Sequence, residues 1–556
     1  MKLTTTGKAL IIFTIVGALG GILYQFDFSQ PTAKEQKIVQ APAQVTQAQA
    51  QPVQPVQVAQ PTVQKAVSGE IGTKNNPLKV SIVSFHGYAP GLIANGGLKT
   101  VSESINAKNG LSLEYLIQDD VPTLSTLFSG NIAQCAWRTS DFWAQEHPNL
   151  RNAKGDAKAV MVVDNTQGGD AVIARDPSIR SIEDLAGKSI ALLQYSPSHG
   201  LLQDAIENSS LTPRKKQSIK MVFINADEGT AGVRAAYESK KVDAAVIWDP
   251  DLSLALRTGG HVVYSTKQAS NLIYDVMVCD TKVLKTQAGR DAVQKFVAGW
   301  MEGVPVAQSN PDLAVKTLVQ TQEMFALFKK QEGDAFIKKL FTNIVWTGLE
   351  DNIRILGMAN ESNHYERVYK QFDLIYRAAG ALANPNSPVI NPRDSFDYSF
   401  IKNLANSSPT AVKAAEKEVV TFTAEELNRV ATKQKAAVTK PVIVTFASGS
   451  YDLTQRAKKQ IDTEMVPFIE NNGTAYIEIS GNSDSIGSDT TNIPLSKARA
   501  AAVANYLVTQ WGFPKNRFNI VGYGSSRPIC NEKSGELPLD QCREMNRSTR
   551  VAILGR

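Results

Sequence analysis

Gly481–Ala500 reads GNSDSIGSDTTNIPLSKARA, and its order of strand end, polar loop and helix decides how the C-terminal part of the chain folds. The preceding AYIEIS, Ala475–Ser480, alternates apolar and polar residues as a half-buried strand does, and stops at Gly481. From Leu495 onward Leu495, Ala498, Ala502 and Tyr506, with Val503 and Leu507 beside them, recur at helical spacing and predict an amphipathic helix ending near Gly512. Asp484 therefore lies just past a strand end and Arg499 in the first turns of the next helix, so the two can face one pocket. A carboxylate holds an ammonium there and a guanidinium takes a carboxylate in a two-pronged contact. An amino acid presents both groups. The competing reading is that Asp484 caps a loop and Arg499 is a solvated helix residue.

Gly481, Asp484, Gly487, Asn492, Leu495, Ser496, Arg499 and Ala500, then Tyr506-Leu507, Gly512, Arg517, Gly522-Tyr523-Gly524, Pro528 and Asn546-Arg547, resemble in order and spacing the peptidoglycan-binding OmpA-like domain, an α+β fold of βαβαββ order. The resemblance covers about Pro441 to Leu554 and implies a domain over 441–556. It implies that Asp484 and Arg499 grip the diaminopimelate of a peptidoglycan stem peptide, with Asn492 and Arg547 at the same pocket. Asn482-Ser483 stands where the family has His-Thr, and Ser548 where a second Arg is common.

At 556 residues the chain is long enough for several cores, roughly three to four domains by length. A formal charge of +6, spread without a long basic block, argues against nucleic acid as partner. The four cysteines, Cys135, Cys279, Cys530 and Cys542, form no metal-ligand pattern with each other or with histidine, so no metal is expected. Some OmpA-like domains carry a disulfide at the spacing of Cys530 and Cys542, which implies that bond here and an oxidising compartment. Cys135 and Cys279 read as buried small hydrophobes.

Lys2 and Lys8 precede ALIIFTIVGALGGILY, Ala9–Tyr24. That run is a little short of the about 20 residues needed to span a bilayer, and Thr4–Thr6 extend it. Flanking positive charge keeps the N-terminus in the cytoplasm. An uncleaved inner-membrane anchor over 1–28 is the expectation, because the apolar run continues past Ala18-Leu19-Gly20; a cleaved signal peptide, with secretion to the periplasm, is the alternative. Residues 29–76 are Gln, Pro, Val and Ala, too poor in large apolar groups to offset ordering entropy, and read as a disordered leash.

Residues 77–382 alternate short apolar strands (Leu78–Phe85, Ile132–Trp137, Lys188–Gln194, Met221–Ala226, Val242–Trp248) with helical stretches, the pattern of an α/β unit with largely parallel sheets. Ligands bind beyond the carboxyl ends of such strands. The residues there are Gly87 and Tyr88, Trp137 and Asp141, Ser198 and His199, Asp227 and Glu228, and Trp248 and Asp249. Gly87-Tyr88-Ala89-Pro90, Ser181–Lys188, Ser198-His199-Gly200 and Val242–Pro250 resemble the periplasmic substrate-binding proteins of the nitrate, sulfonate, taurine and thiamine-precursor ABC transporters. The resemblance implies two lobes joined by crossing strands and closing on a small solute. The free amides of the helix opening at Ser198 could hold an anion, yet Asp141, Asp227, Glu228 and Asp249 outnumber Arg138 and His199, and Tyr88, Trp137 and Trp248 add flat faces. This balance suits an amine or heteroaromatic ligand better than sulfonate or nitrate, unless Asp227 and Glu228 only cap the helix they precede. Residues 383–440 read as a connector with exposed polar helices at Val412–Val419 and Ala424–Ala436.

No Ser/His/Asp set, nucleotide loop or cofactor motif stands out, so neither catalysis nor a cofactor is expected. The sequence thus predicts a multi-domain periplasmic protein: transmembrane helix, leash, two-lobed binding module and wall clamp, handing its solute to an inner-membrane transporter or sensor. The alternative is a membrane-to-wall tether whose lobes are a docking surface for protein.

Overall fold

The computed structural model describes residues 69–556 apart from 120, 122, 360–361, 417–422, 424, 426–434, 448 and 555–556. The expected anchor, nearly all of the leash and most of the second connector helix lie outside the described residues. Among those described, no helix is long and apolar enough to cross a membrane.

Two sheets form the two-lobed module. The chain enters through β1 (Leu78–Ile82), β2 (Leu113–Ile117), β3 (Cys135–Thr139) and β4 (Ala157–Thr166), then crosses to β5 (Asp170–Ala174), β6 (Ser189–Leu193), β7 (Lys220–Ile224), β8 (Ala244–Trp248) and β9 (His261–Ser265). It returns through β10 (Tyr274–Asp280) and adds β11 (Ile344–Trp346). The first lobe has strand order β11-β4-β10-β3-β1-β2, the second β7-β6-β8-β5-β9. Apolar strands such as LKVSI and SIALL are buried because helices cover both faces. Both sheets are mixed rather than largely parallel: β10 runs antiparallel to β3 and β4, and β5 antiparallel to β8 and β9. The antiparallel strands flank the two interlobe crossings, where a chain that leaves one sheet must come back reversed.

Cys135 and Cys279 are not free buried hydrophobes: they form a disulfide across neighbouring strands β3 and β10. The bond escapes sequence reading because only the return of β10 brings its halves together. Cys530 and Cys542 form the second disulfide.

The stretch read as a connector also differs. Phe396, Phe400 and Ile401 are buried, the Asp397 amide donates to the Ala159 carbonyl beside β4, and the Arg290 guanidinium sits over the Phe400 ring. Residues up to the helix Pro409–Ala415 thus build onto the first lobe, because the helix Ser399–Asn406 turns its apolar side inward.

The C-terminal sheet comprises β12 (Val438–Val442), β13 (Tyr476–Asn482), β14 (Phe518–Gly524) and β15 (Thr549–Leu554), in the order β12-β15-β13-β14. The helix Asp489–Trp511 lies so close on β13 that a Cβ on Gly481 would meet the Ser496 carbonyl oxygen at 1.9 Å. A short helix, Leu539–Asn546, interrupts the expected final strand pair.

This domain is docked on the two-lobed module rather than strung from it. The Asn271 amide, in the β9–β10 crossing, donates to the Asn471 carbonyl (3.0 Å), its Nδ2 to the Glu470 carbonyl (2.9 Å), and the Tyr264 hydroxyl to Asn472 Oδ1 (2.9 Å). Arg367, on the helix His364–Ala378 against the first lobe, pairs with Glu470 at 3.1 Å; on the second lobe, Glu183 Oε1 accepts the Thr439 amide at 2.9 Å. The C-terminal domain therefore touches both lobes and one crossing. The buried Arg517, which sequence reading took only as a family residue, donates to the carbonyls of Ile469, Asn472 and Ala475 and so shapes the loop that meets the crossing.

Candidate functional site

Carboxyl groups cluster, buried, between the two lobes. Register sets Asp275, at the start of β10, opposite Asp164 on β4 and Thr139 on β3. Asp170 opens β5, Asp141 follows β3, and Asp249 follows β8. Asp141, Asp164 and Asp249 are fully buried and Asp170 and Asp275 nearly so.

Asp164 is the least satisfied of them, since neither of its oxygens has a hydrogen-bond partner. Burial, with Asp275 and Asp170 adding like-charge repulsion, pushes its carboxyl well above the usual range. Burial carries Asp275 to about 7 even though its Oδ2 accepts the Tyr88 hydroxyl at 2.9 Å. Asp141 rises to about 6 for the same reason, with the Tyr376 hydroxyl 3.3 Å from its Oδ2. Asp170 also lies well above the usual range through burial, then through its acidic neighbours.

The basic groups that sequence reading set against these acids are otherwise engaged. Arg138 is buried in an ion pair with Glu146. His199 accepts the Tyr195 amide at Nδ1 (3.0 Å) and meets Gln203 at Nε2 (3.1 Å), and burial lowers its pKa to about 4, so it is neutral. Burial takes His86 down to about 3.

The other expected contacts divide. The Tyr88 hydroxyl faces Asp275, and the rings of Tyr88 and Trp137 lie 6.4 Å apart. Gly87 is needed where it stands: a Cβ there would fall 2.0 Å from Asp164 Oδ2. Ser198 Oγ is buried without a partner at the start of the helix Pro197–Glu207, and Gly200 of that helix packs toward Asp141 across the lobes, its Cβ position 2.9 Å from Asp141 Oδ2. Trp248 is half-buried opposite Asp170. Asp249 is satisfied by both lobes: Oδ1 accepts the Ser253 amide (3.0 Å) and hydroxyl (2.7 Å) in the second lobe, and Oδ2 accepts Nδ2 of Asn343 (2.6 Å), the residue before β11 of the first lobe. It and His199 brace loops. Glu228 is exposed and bonded to Asn225. Sequence reading missed Asp164, Asp170 and Asp275; the signal available was an acid at each end of the crossing strands, which are otherwise apolar.

In the C-terminal domain Asp484 is buried just past β13. Its Oδ2 pairs with Arg547 Nη1 at 2.5 Å and its Oδ1 accepts the Ile486 amide at 3.1 Å. Arg499 lies over the Phe446 ring and donates to the carbonyls of Ser450 (3.0 Å) and Ala447 (3.3 Å). Asn492 Nδ2 holds the Ile486 carbonyl at 2.9 Å, fixing the loop between them. Thus the carboxylate of the expected grip is matched by Arg547, while Arg499 is oriented by backbone carbonyls. Glu532, also missed in the sequence, accepts the Ser485 amide (3.1 Å) and hydroxyl (2.7 Å), and Asn546 ties Glu532 to the disulfide loop through Cys530. These bonds to Ser485 lead the group that holds the Glu532 carboxyl at about 2.

Residues 445–537 match the OmpA family, and residues 107–314 match the family described as NMT1/THI5 like. The chain is 32% identical over 116 residues to outer membrane protein P5 of Haemophilus influenzae, covering 20% of this chain and 32% of that protein. It is 35% identical over 89 residues to the putative aliphatic sulfonates-binding protein of Escherichia coli (strain K12), covering 16% of this chain and 26% of that one. It therefore spans about a third of the first relative and about a quarter of the second. The crystal structure of the periplasmic aliphatic sulphonate binding protein SsuA from Escherichia coli superposes with a TM-score of 0.44 at 15% identity, over 59% of this chain and 98% of that one. The chain joins a region that matches the NMT1/THI5-like family to a C-terminal region that matches the OmpA family.

Proposed function

We propose that the protein is a periplasmic binding protein fixed to peptidoglycan by its C-terminal domain, and that its cleft takes a small organic cation, an amine or a protonated heteroaromatic ring. The observation that carries this reading is Asp164: a buried carboxyl with both oxygens unpartnered, beside Asp275 and with no cation paired to it. An unpaired buried carboxyl costs stability until a donor arrives, and an ammonium or amidinium supplies both hydrogen bonds and counter-charge. A sulfonate or nitrate brings neither a donor for the Asp164 oxygens nor the counter-charge that would let these acids ionise. Tyr88 and Trp137 offer ring faces beside the carboxyls.

For the wall, Asp484 takes the ammonium and Arg499 the carboxylate of a stem-peptide amino acid, with Arg547 yielding its hold on Asp484 when the ammonium enters. The N-terminal segment serves as membrane anchor, so one chain spans from membrane to wall and passes its solute to an inner-membrane transporter or sensor. The test is melting of the full chain with a panel of amines, amidines, pyrimidines and sulfonates. Cationic compounds raise the melting temperature in proportion to occupancy. A rise with sulfonates alone overturns the cation reading, and silence across the panel leaves the tether with a docking surface.

A further inference from the structure

A second pocket lies outside both sites, where the open face of the C-terminal sheet meets the second lobe. Odd positions of β13, such as Ile477 and Ile479, are buried in the domain's own core, which turns Glu478 and Ser480 the other way, toward the lobe. Docking leaves a cavity of about 460 Å³ between them, with Ser181, Glu183 and Ser210 on the lobe side and Ser480, Tyr523 and Arg550 on the sheet side. That volume falls in the range of small-molecule sites.

At its floor, Arg550 on β15 is 6% exposed. Its Nε donates to Ser548 Oγ at 3.1 Å and its Nη1 to the Arg527 carbonyl at 2.6 Å, while Nη2 is buried and has no partner. Arg527 lines the same cavity, exposed at its mouth and lying 3.7 Å over the Tyr523 ring. The two carboxylates nearby are engaged: Glu478 by the Tyr523 hydroxyl (3.0 Å), Asn519 (3.2 Å) and a loose pair with Arg527 Nη1 (3.9 Å), and Glu183 Oε1 by the Thr439 (2.9 Å) and Ser210 (3.2 Å) amides. A buried guanidinium that keeps a free donor and lacks a carboxylate is the reverse of the cleft, and it is completed by an oxygen anion.

We infer that this cavity is a binding site for a small oxyanion, an organic carboxylate or phosphate, held by Arg550 Nη2 with Arg527 at the entrance and the hydroxyls of Ser181 and Ser480 for its polar remainder. Both walls are needed, so the site exists only while the C-terminal domain is docked on the second lobe. It does not depend on what the cleft or the wall grip binds.

The experiment uses the full chain and three probes, inorganic phosphate, lactate and selenate, against chloride at equal ionic strength. Phosphate or lactate raises the melting temperature by about 3 °C at concentrations well above Kd. The rise disappears in Ala552→Phe, which fills the cavity, and in Arg550→Gln, but persists in Arg499→Ala, which removes the other anion grip. Phosphate distinguished from lactate identifies which oxyanion is preferred. General stabilisation by an excluded salt survives every variant and overturns the proposal. Should Ala552→Phe or Arg550→Gln fail to fold, a wild-type crystal soaked in selenate decides: an anomalous peak within hydrogen-bond distance of Arg550 is expected, and peaks only at Arg499 or elsewhere contradict it.

Discussion

The interlobe acids and the C-terminal domain each include a buried aspartate, Asp164 within β4 and Asp484 just past β13, yet its charge is treated oppositely. Asp484 is neutralised by Arg547 at 2.5 Å, whereas Asp164 has no hydrogen-bond partner and acidic neighbours only drive its proton on more firmly. If both are binding sites, as proposed, the difference sets how each meets its ligand. A paired carboxylate exchanges one cation for another and suits a zwitterion that brings its own carboxylate for Arg499. An unpaired, protonated cluster waits for charge and suits a cation that displaces protons.

The largest effect is expected at the wall. Asp484→Ala combined with Arg499→Ala removes both halves of the grip and lowers co-sedimentation with sacculi by about 100-fold, from two charge-assisted contacts of about 1.5–3 kcal/mol each. Sedimentation unchanged in the double variant breaks the comparison at that end. Next, Asp275→Asn weakens binding of a cationic ligand by about 10- to 100-fold, measured calorimetrically, while leaving the ligand-free melting temperature equal or higher, because asparagine keeps an oxygen for the Tyr88 hydroxyl and removes one buried acid from beside Asp164. A loss of ligand-free stability instead identifies Asp275 as a structural brace.

Proton linkage sharpens the contrast further. Asp275 and Asp141, at about 7 and about 6 in the folded chain, lie above an unfolded carboxyl near 4. Between those values the folded chain binds more protons than the unfolded one, so their contribution to stability falls as pH rises from 4 to 7 and is flat above. Carboxyls held low, such as Glu532 and Asp156, both at about 2, act in the opposite sense, so the readout is the difference between wild type and Asp275→Asn from pH 5 to 8. The cation should bind tighter at pH 8 than at pH 5 by about tenfold, with proton release; an affinity independent of pH contradicts protonated cleft acids. The smallest effect is at the disulfide loop: Cys530→Ser with Cys542→Ser loosens the Asn546–Glu532–Ser485 chain and reduces sacculus binding by about threefold, an effect of a few tenths of a kcal/mol to 1 kcal/mol as for a partly exposed network.

Much of this architecture could be read along the chain because it is local. Alternation in AYIEIS, the helical spacing after Leu495 and the apolar strands of the two-lobed module place Asp484, Tyr88 and Asp141 near strand ends and Arg499 on the helix that follows β13. What could not be read depends on returns of the chain from far away. Asp275 meets Asp164, and Cys279 meets Cys135, only because β10 comes back antiparallel between β4 and β3. Arg138 was counted as a cleft base because nothing in the sequence reveals its pairing with Glu146, one helix further on. The docked position of the C-terminal domain rests on the Glu470 and Asn471 carbonyls, which meet Asn271, and on Asn472 Oδ1, which meets the Tyr264 hydroxyl, and such single long-range contacts leave no periodic pattern in the sequence.

The most direct test is native mass spectrometry of the full chain isolated from its host without refolding, with released small molecules identified by mass and charge. A bound amine or heteroaromatic cation, present in wild type and absent from Asp164→Asn with Asp275→Asn, is the predicted result. A sulfonate retained equally by both proteins would contradict the account.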